Sequence, residues 1–450
     1  YDGTSRFMKD QRWNFFPSFS LGWNVARENF WKPLESVVNQ FKLRGSWGEL
    51  GNQNTSNLYP FYEILPVKSN SGNWLVNGGK TNTADIPSLV STLLTWERVR
   101  SFNVGFDFGA FSNRLTGSFD YFVRKTVDMV GPAPQLPLVL GIAPAIVNNA
   151  DMKSYGFEIE LSWRDRIGEV DYGVKFNLAD AQQKVVKYPN TTNAFSDWYA
   201  GKMSGEIWGY TSLGIAKTDE EMKEHLASLP NGGQNQLGNK WGAGDIMYAD
   251  INGDGKVDGG KGTLADPGDQ RIIGNSTPRY NFGLVLDASY KGFDVSIFFQ
   301  GVGKRDYAPI VGTNGAVFWG AVNNIWQSMA MEEHFDYFRP EGHPMGANLN
   351  GYYPRPDFTS NKNHQVQTRY LQDASYIRLK NLQIGYTLPK QWINKLHINR
   401  CRVYVSGDNL WTGTSLASMF DPETLAAGDW GSGKTYPLSK VISFGLNVNF

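Results

Sequence analysis

The clearest pattern in the chain is an alternation of apolar and polar residues in the segment Pro278–Gly301. A Lys291-Gly292 turn separates its two arms, and every second residue of each arm is apolar. The apolar positions are Tyr280, Phe282, Leu284, Leu286, Ala288, Tyr290, Phe293, Val295, Ile297 and Phe299. A period of two places these side chains on one face of a strand. Each arm has about ten residues, which is the length that a tilted strand needs to cross a bilayer. The segment therefore predicts a hairpin of a membrane β-barrel.

The same period recurs along the chain and predicts about eleven strands after a short stub at Tyr1–Phe7. The predicted strands are Asn14–Val25, Phe41–Gly48, 102–108, 115–123, 155–163, 170–178, 278–290, 293–299, Ser375–Leu388, Arg400–Leu410 and Ser439–Phe450. The phase of the apolar positions changes near Lys380-Asn381. A β-bulge there would restore the alternation, and a wrongly assigned strand is the alternative.

Apart from modest insertions at Ala26–Gln40 and Pro389–Asn399, short and long connections alternate between these strands, which puts the long loops at one end of an antiparallel sheet. Outer-membrane barrels have this arrangement, with short periplasmic turns and long outer loops. The apolar faces contain no charged residue, whereas the opposite faces hold Asp107, Asp120, Glu158, Glu160, Asp171 and Lys175. So many charges do not suit the dry core of a soluble β protein, which is the alternative fold. We predict an all-β transmembrane antiparallel barrel with long extracellular loops, of which 180–277 is the largest.

Composition and charge restrict the functional classes. The chain of 450 residues has 43 Lys and Arg against 43 Asp and Glu, so its zero net charge gives no reason to expect a nucleic-acid partner. Mean hydropathy is −0.40, and no apolar run is long enough for a helical membrane span. The single cysteine, Cys401, forms no disulfide within the chain. Because the sequence starts at Tyr1 without a signal peptide, we expect an N-terminal portion to precede it.

The segment Asp250–Asp258, DINGDGKVD, has the spacing of a calcium loop. Alternate positions carry oxygen ligands, and a glycine after the fifth position allows a sharp turn. The ligands are Asp250, Asn252, Asp254, the main-chain carbonyl of Lys256, and Asp258. The twelfth position, Lys261, cannot chelate. Asp266 or Asp269 could supply the missing acid, and the predicted site within 250–269 includes Asp269. We predict a structural Ca²⁺, and an Asx-rich hydrophilic turn is the alternative.

Sequence signatures of an enzyme are absent. The chain has no G-x-S-x-G and no phosphate-binding G-x-x-x-x-G-K-[ST] motif. Its five histidines form no metal-spaced pair, and we expect His343 and His364 at the surface of a polar loop. We predict no catalytic residue, and therefore a protein that is not an enzyme.

Trp and Tyr are concentrated in the long loops. Flat rings stack on sugars or pack against peptide side chains, but they equally pack loop against loop or against a partner protein. The candidate contacts with substrate or partner are Trp74, Trp198, Trp208, Trp319, Trp326, Tyr352 and Trp430.

Alternating apolar residues end the chain at a C-terminal aromatic residue. This ending resembles the signal that the barrel-assembly machinery reads, and a strand that ends in Phe by chance is the alternative. The residues of this predicted signal are Phe444, Leu446, Val448 and Phe450.

Longer motifs resemble the SusC/RagA-type TonB-linked outer-membrane transporters. They occur in the order of that family: FFPSFSLGWNVARENFWKP, FKLRGSWGELGNQ, DINGDGKVD, IIGNSTPRYNFGLVLDASYKGFDVSIFFQGVGKRDY, YIRLKNLQIGYTLPK, RVYVSGDNLWT and DPE. The resemblance covers nearly the whole chain and implies that residues 1–450 are the C-terminal part, about half, of a 22-strand barrel. The plug domain, the TonB box and the first barrel strands are then expected outside this sequence.

The resemblance also implies TonB-dependent active import of an oligomeric nutrient across the outer membrane. A glycan is the first expectation for the substrate and a peptide the second. The expected partners are a SusD-like surface lipoprotein that acts as a lid, TonB through the N-terminal region, outer-membrane lipid and the nutrient. The lid is expected to dock on some of the loops Glu49–Thr95, Asp180–Thr277 and Gly301–Asp373. A passive porin or a surface adhesin is the alternative.

Overall fold

Eleven strands of the chain form one antiparallel sheet in a computed structural model that describes residues 1–55, 58–87, 89–131, 139, 141–142, 145–309, 316–320, 330–357, 362–393, 398–425 and 436–450. The strands are β1 (Ser18–Asn24), β2 (Val38–Asn52), β3 (Glu97–Ala110), β4 (Leu115–Gly131), β5 (Val147–Ile167), β6 (Val170–Lys187), β7 (Arg279–Tyr290), β8 (Phe293–Lys304), β9 (Tyr376–Thr387), β10 (Arg400–Thr414) and β11 (Val441–Asn449). Their order in the sheet follows the chain, so each strand pairs with its sequence neighbours. The predicted all-β fold is confirmed.

The register of the sheet separates the side chains onto two faces. An apolar row crosses β2 to β7 through direct partners, namely Leu43, Phe106, Phe119, Ile159, Leu178 and Phe282. The adjacent row, one residue along each strand, contains Arg44, Asp120 and Glu158. Because one residue of offset reverses the face of a strand, the apolar and charged faces are those predicted from the sequence. The apolar face is the lipid-facing side of the barrel wall.

The predicted bulge in β9 is confirmed. Phe298 pairs with Asn381, but the next residue, Phe299, pairs with Leu379, so Lys380 is an extra residue in β9. A bulge of this kind opposes two residues to one on the partner strand. Leu382 then resumes the apolar face, opposite Ile297.

Several strand ends differ from the prediction. β6 continues to Lys187, so the long connection predicted to begin at Asp180 begins at 188. β5 extends beyond the predicted 155–163 at both ends. The N-terminal stub does not join the large sheet, because Asp2–Gly3 pairs with Trp13–Asn14 in a small sheet of its own.

The connections contain short elements. The helices are α1 (Asp219–Ala227), α2 (Ala316–Trp319) and α3 (Lys390–Ile393), with 3₁₀ turns at Lys9–Gln11, Val25–Arg27, Asn29–Leu34, Glu332–Phe335 and Thr368–Tyr370. The small paired strands are Val67–Lys68 with Thr83–Ala84, Leu75–Val76 with Gly79–Lys80, Glu206–Gly209 with Arg271–Asn275, Ser212–Ile215 with Ile246–Tyr248, and Asp306–Tyr307 with Gln372–Asp373. Within the described residues, no helix is both long and apolar enough to cross a membrane.

Three long connections share one hydrophobic core at the same end of the sheet. These connections are 188–278, 305–375 and 415–440, and we call their described residues the loop body. The core residues are Tyr210, Leu229, Ile246, Tyr248, Val257, Tyr307, Val317, Phe318, Trp319, Tyr353, Tyr370, Ala374, Leu416, Phe420 and Leu425. The connection 53–96 contributes none of these; Leu94 and Trp96 pack instead with Phe7 in a separate cluster. The three loops therefore fold as one unit, and 53–96 stands apart from it.

Candidate functional site

A buried carboxylate, Asp245, joins two of the three loops. Its Oδ2 accepts hydrogen bonds from Lys362 Nζ (2.9 Å) and Arg355 Nη2 (2.7 Å), and its Oδ1 accepts one from Asn363 Nδ2 (2.9 Å). The side chains of Asp245 and Lys362 are almost completely buried, and Lys362 Nζ also lies 5.1 Å from the ring centre of Trp241. A buried charge is tolerated only when it is paired and hydrogen-bonded. This pairing fixes connection 305–375 onto connection 188–278.

Two buried amides extend the same network. Gln234 Oε1 accepts from Tyr248 N (3.0 Å), and Gln234 Nε2 donates to Ile246 O (2.8 Å). Gln367 Nε2 donates to Tyr248 Oη (3.2 Å) and to Asn363 O (2.9 Å). A buried polar network of this kind specifies one arrangement of the segments that it joins.

The apolar side of the loop body is a cluster of aromatic rings. Phe318 and Trp319 meet edge to face at 4.9 Å, and Trp319 lies 4.8 Å from Tyr370. Such pairs contribute beyond their buried area. His364 lies 4.6 Å from Trp319 and is 2% exposed, so the surface position expected for this histidine is wrong. Burial lowers the pKa of His364 to about 4.

A second ionic cluster attaches the loop body to the sheet. Arg378 of β9 is buried, with Nη2 at 2.9 Å from Asp421 Oδ1 and Nη1 at 2.8 Å from Glu423 Oε1. Lys380, the bulged residue, places its Nζ 3.0 Å from Glu423 Oε2. Arg305 donates to the carbonyl of Pro422 (3.2 Å). Arg378 and Lys380 of β9, together with Arg305 directly after β8, thus hold the segment Asp421-Pro422-Glu423, and we call this cluster the latch.

The predicted calcium loop closes on its own backbone. Asp250 accepts from Gly253 N (2.6 Å) and Gly255 N (2.8 Å), and both glycines have positive φ angles of 76° and 80°. Asn252 Oδ1 accepts from Asp254 N (3.0 Å), and Asp254 Oδ1 accepts from Lys256 N (3.2 Å). Glycine adopts the positive φ angles seen at Gly253 and Gly255 without strain. The spacing of the motif thus produces a compact turn around its polar side chains.

The side chain of Asp269 closes this turn by hydrogen bonds to the backbone at both of its ends. Its Oδ1 accepts from Ile251 N (2.7 Å), and its Oδ2 accepts from Asp258 N (2.8 Å), so one buried carboxylate ties together both ends of the loop. Burial raises the pKa of Asp269. Asp258 accepts from Gly260 N (2.8 Å) and pairs with Lys256 Nζ at 2.5 Å. In the described part of the chain, no three acidic, His or Cys side chains are grouped to hold a metal ion. Calcium at this loop stays a prediction.

The candidate aromatic contacts separate into different environments. Trp319 is buried and Tyr352 packs against the core of the loop body, so neither is a free platform for a ligand. Trp208 stacks on Phe195 at 4.5 Å. Trp74 and Trp198 are exposed. Trp326 and Trp430 lie outside the described residues. The five candidates that the structure describes lie in these different environments and do not form one site.

The predicted assembly signal lies on the last strand, at the edge of the sheet. Leu446 pairs with Val403, and Phe444 pairs with Val405, on the apolar face. Phe444, Leu446 and Phe450 are more than half exposed. Their accessibility suits a recognition signal, and recognition itself stays a prediction.

The inward face of the wall is polar and ion-paired. Arg44 of β2 lies 2.8 Å from Asp107 and 2.9 Å from Asp120 on the two following strands. At the other side of the sheet, Arg402 contacts both Asp294 and Gln383. An ionic wall of this kind suits a hydrated interior.

Comparison with known proteins agrees with this geometry. A model of the family described as "TonB dependent receptor-like, beta-barrel" matches residues 1–410. The chain belongs to this family. Its predicted location in the outer membrane is thereby confirmed, as is the resemblance to SusC/RagA-type transporters.

The relatives are longer than this chain. TonB-dependent receptor P3 of Formosa agariphila is 29% identical over all of the chain and 43% of its own length. TonB-dependent receptor SusC of Bacteroides thetaiotaomicron is 23% identical over all of the chain and 41% of its own length. The solved structure of the RagAB peptide transporter superposes with a TM-score of 0.73 at 22% identity and covers 99% of this chain and 44% of that one. The chain thus spans less than half the length of each of these three proteins.

Sequence reasoning missed the residues that build the loop body. Asp245 and Lys362 belong to different loops, and nothing in either neighbourhood signals the pairing. The latch had a partial signal, because DPE was part of the family resemblance, but its cationic partners Arg378 and Lys380 were not identified.

Proposed function

We propose that this chain forms wall and outer loops of a TonB-dependent importer for an oligomeric nutrient. The observation that carries the proposal is the combination of two features: a wall that is apolar towards lipid and ionic towards its interior, and three loops at one end that share one hydrophobic core. A passive porin needs the wall, but it does not need three loops fused around one core. No enzymatic role is proposed, since the relatives are named as receptors.

The proposed substrate is a glycan oligomer, with a peptide second. Trp74 and Trp198 present exposed indole rings, and flat indole faces suit sugar rings. The RagAB structures are described as a peptide transporter, and their likeness to this chain concerns the fold. In this proposal TonB supplies the energy for import by contacting an N-terminal region that lies outside this sequence.

A SusD-like surface lipoprotein is the proposed partner, and connection 53–96 is its proposed docking surface. This connection lies outside the shared core, and it exposes a dense set of large apolar side chains: Leu58, Tyr59, Tyr62, Ile64, Leu65, Val67, Trp74, Leu75, Val76, Ile86, Leu89 and Leu93. Exposed apolar patches mark interaction sites. The loop body, which buries its own aromatic rings, would serve as the rigid support beside that surface.

Uptake of labelled oligosaccharides and peptides by cells that carry the complete protein tests the import proposal. Import should stop when a protonophore dissipates the proton-motive force, because active transport depends on it. Diffusion through a porin would continue under the same conditions, and that result would reject TonB-dependent import. Preferential uptake of peptides would reverse the proposed order of substrates.

Co-purification from native membranes in mild detergent tests the partner. Replacing 66–85, which contains the paired strands Val67–Lys68 and Thr83–Ala84, with a short Gly-Ser linker should release the lipoprotein. The matched control shortens the turn 341–346 in the loop body, which is closed by the pair Arg339 and Asn348. Equal retention of the partner by both variants would contradict docking on 53–96.

We also propose that Ca²⁺ binds at 250–269 and stiffens the loop body. The motif spacing, the two glycine turns and the acceptor capacity left on each carboxylate fit a hard cation, since an ionised carboxylate offers about four acceptor sites. Asp250, Asn252, Asp254, Asp258 and the Lys256 carbonyl would hold the ion, with Asp269 fixing the loop ends. Protease cleavage between 188 and 278 should rise when a chelator removes calcium.

Asp254→Ala should abolish this calcium dependence, whereas Lys256→Met should increase it by removing the ammonium group beside Asp258. Extracellular calcium modules bind at about 10⁻⁴ to 10⁻³ M. A wild-type loop whose protection does not change across that range would overturn the calcium proposal.

A further inference from the structure

The connection 25–37, between β1 and β2, is longer than most connections at its end of the sheet. Three of the others there are the tight turns 111–114, 168–169 and 291–292, and the fourth, 388–399, is longer and contains α3. The connection 25–37 instead forms two 3₁₀ turns, Val25–Arg27 and Asn29–Leu34. We call residues 25–37 the foot. A two-residue turn would suffice to reverse the chain, so the additional residues need another explanation.

The foot folds against the lipid-facing side of the sheet. Phe30 meets Trp23 edge to face at 6.3 Å, and Trp31 stacks on Phe41 with ring centres 5.2 Å apart and planes at 4°. Trp23 pairs with Leu43, and Phe41 pairs with Phe108, so both receiving rings belong to the apolar face. The foot therefore continues the surface that faces lipid beyond the ends of the strands.

Hydrogen bonds fix the orientation of both indole rings. Trp31 Nε1 donates to Val38 O (2.9 Å), and Trp23 Nε1 donates to Glu28 Oε1 (3.1 Å). Indole rings with one polar and one apolar side are typical of membrane interfaces. Both N–H groups are satisfied within the foot and its neighbouring strand, so neither indole needs water as a hydrogen-bond partner. The Trp23 ring remains exposed, whereas Phe41 covers one face of Trp31.

The exposed side chains of the foot separate by polarity. Phe30 is 62% exposed, Leu34 51% and Val37 47%. On the polar side, Arg27, Glu28, Lys32 and Glu35 line a cleft together with Asn24, Asn39, Gln40 and Asn113. The foot is thus amphipathic, although its helical turns are too short to be an amphipathic helix.

We propose that the foot lies at the boundary between headgroups and acyl chains of the membrane leaflet at the short-turn end, with Phe30, Leu34 and Val37 immersed in the acyl layer. Segments with one apolar and one charged face occupy this boundary. Phe30 and Trp31 pack directly on lipid-facing rings of β1 and β2, so the same lipid that covers those rings should cover the apolar side of the foot. Lys32 and Arg27 have aliphatic stems long enough to place their charges among the headgroups. In outer-membrane barrels the short turns are periplasmic, so this leaflet is the periplasmic one.

Site-directed spin labelling of the complete protein in liposomes tests the position of the foot. Single cysteines replace Phe30 or Leu34 in a background that carries Cys401→Ala, and matched controls carry Lys32→Cys or Glu35→Cys. Molecular oxygen is concentrated among acyl chains, whereas a nickel chelate stays in water. We expect oxygen to relax the labels at 30 and 34 more strongly than the chelate, with the reverse order at 32 and 35.

Two results would overturn the proposal. Stronger relaxation by the chelate at all four positions would place the foot in water. Protection of positions 30 and 34 from both reagents would show that protein covers them.

Resistance of each labelled protein to unfolding in SDS without heating identifies the folded variants. If the cysteine variants do not fold, quenching of the indole fluorescence by brominated lipid provides the second measurement. It is made on the unlabelled protein and on the conservative double variant Phe30→Leu/Leu34→Val, which keeps both positions apolar. Trp31 is the reporter there, so Trp31→Phe should remove part of the quenching.

Discussion

Lys362 Nζ lies 2.9 Å from Asp245 Oδ2 although 117 residues separate the two in the chain, and both side chains are almost fully buried. Arg355 adds a second cation to the same carboxylate. The pair lies between connections 188–278 and 305–375, which also meet through the buried amide network and the aromatic core. A buried ion pair contributes little net stability over an apolar substitute, but the loss of one partner is costly. Asp245 therefore fixes how the two loops dock.

Asp245→Asn should loosen the loop body while leaving the wall folded. The substitution keeps the shape of the side chain but removes the charge that pairs with Lys362 and Arg355, and Lys362 then retains only the longer contact with Asp357 (3.6 Å). Breaking a buried pair costs roughly 3 to 5 kcal/mol. Hydrogen exchange should accelerate in the strands Ser212–Ile215 and Ile246–Tyr248. Glu169→Gln, which breaks the exposed pair with Lys291 (2.7 Å), is the control and should leave exchange in these strands unchanged. Equal exchange in both variants would contradict the role of Asp245.

The latch should hold connection 415–440 onto the sheet. Arg378→Met removes the cation shared by Asp421 and Glu423, and the buried carboxylates then lose roughly 3 to 5 kcal/mol of stabilisation. Protease cleavage in 415–425 should increase, and β9 should stay paired with β8 and β10. Lys68→Met breaks the exposed pair Lys68–Asp85 and should leave cleavage unchanged. Cleavage that is unaltered in Arg378→Met would mean that apolar contacts alone retain the segment.

The strands could be predicted because lipid on one side and an ionic interior on the other impose a period of two. That period is lost where a strand extends beyond the membrane, since both faces are then polar. β5, for example, begins at Val147, although its alternation is clear only from Tyr155. The bulge at Lys380 was predictable for the same reason, because it shifts the phase of an apolar face.

The loop body could not be predicted in the same way. An aromatic ring in a loop suits a loop core as well as a ligand, and sequence spacing does not distinguish Trp319, which is buried, from Trp74, which is exposed. The pairing of Asp245 with Lys362 depends on how distant loops dock. The calcium-type turn was recognisable because its hydrogen bonds are local. Asp269, eleven residues beyond Asp258, accepts a hydrogen bond from Asp258 N, and its role as a calcium ligand stays a prediction.

The loop body should weaken in mild acid through His364. Its pKa is about 4 in the folded protein because burial disfavours the charged form, against about 6.5 in an unfolded chain. The opened loop body therefore binds a proton that the closed one does not, so stability is complete above about pH 6.5 and falls as the pH approaches 4. The loss is roughly 3 kcal/mol over that window.

His364→Phe should remove most of this pH dependence, because it keeps a ring beside Trp319 without a titrating group. Burial also lowers the pKa of His225, which contributes in the same direction. Hydrogen exchange of 205–275, corrected for the intrinsic effect of pH, measures the change. His343→Phe is the control and should behave as the wild type. Identical pH profiles for His364→Phe and the wild type would exclude His364 as the cause.

The two faces of the wall should differ in their access to water. Phe157 and Ile159 of β5 and Phe282 of β7 belong to the apolar face, whereas Glu158 and Glu160 alternate with them on the ionic face. Cysteines at 157, 159 and 282 should therefore resist a membrane-impermeant maleimide in intact outer membranes, because acyl chains surround them. The same reagent should label position 158 or 160 after the membrane is permeabilised, since these side chains line a hydrated interior.

Solubilisation in detergent followed by unfolding should expose all five positions equally, which controls for the reactivity of each thiol. If 157, 159 and 282 are labelled in membranes while 158 and 160 are protected, the assignment of the two faces is inverted.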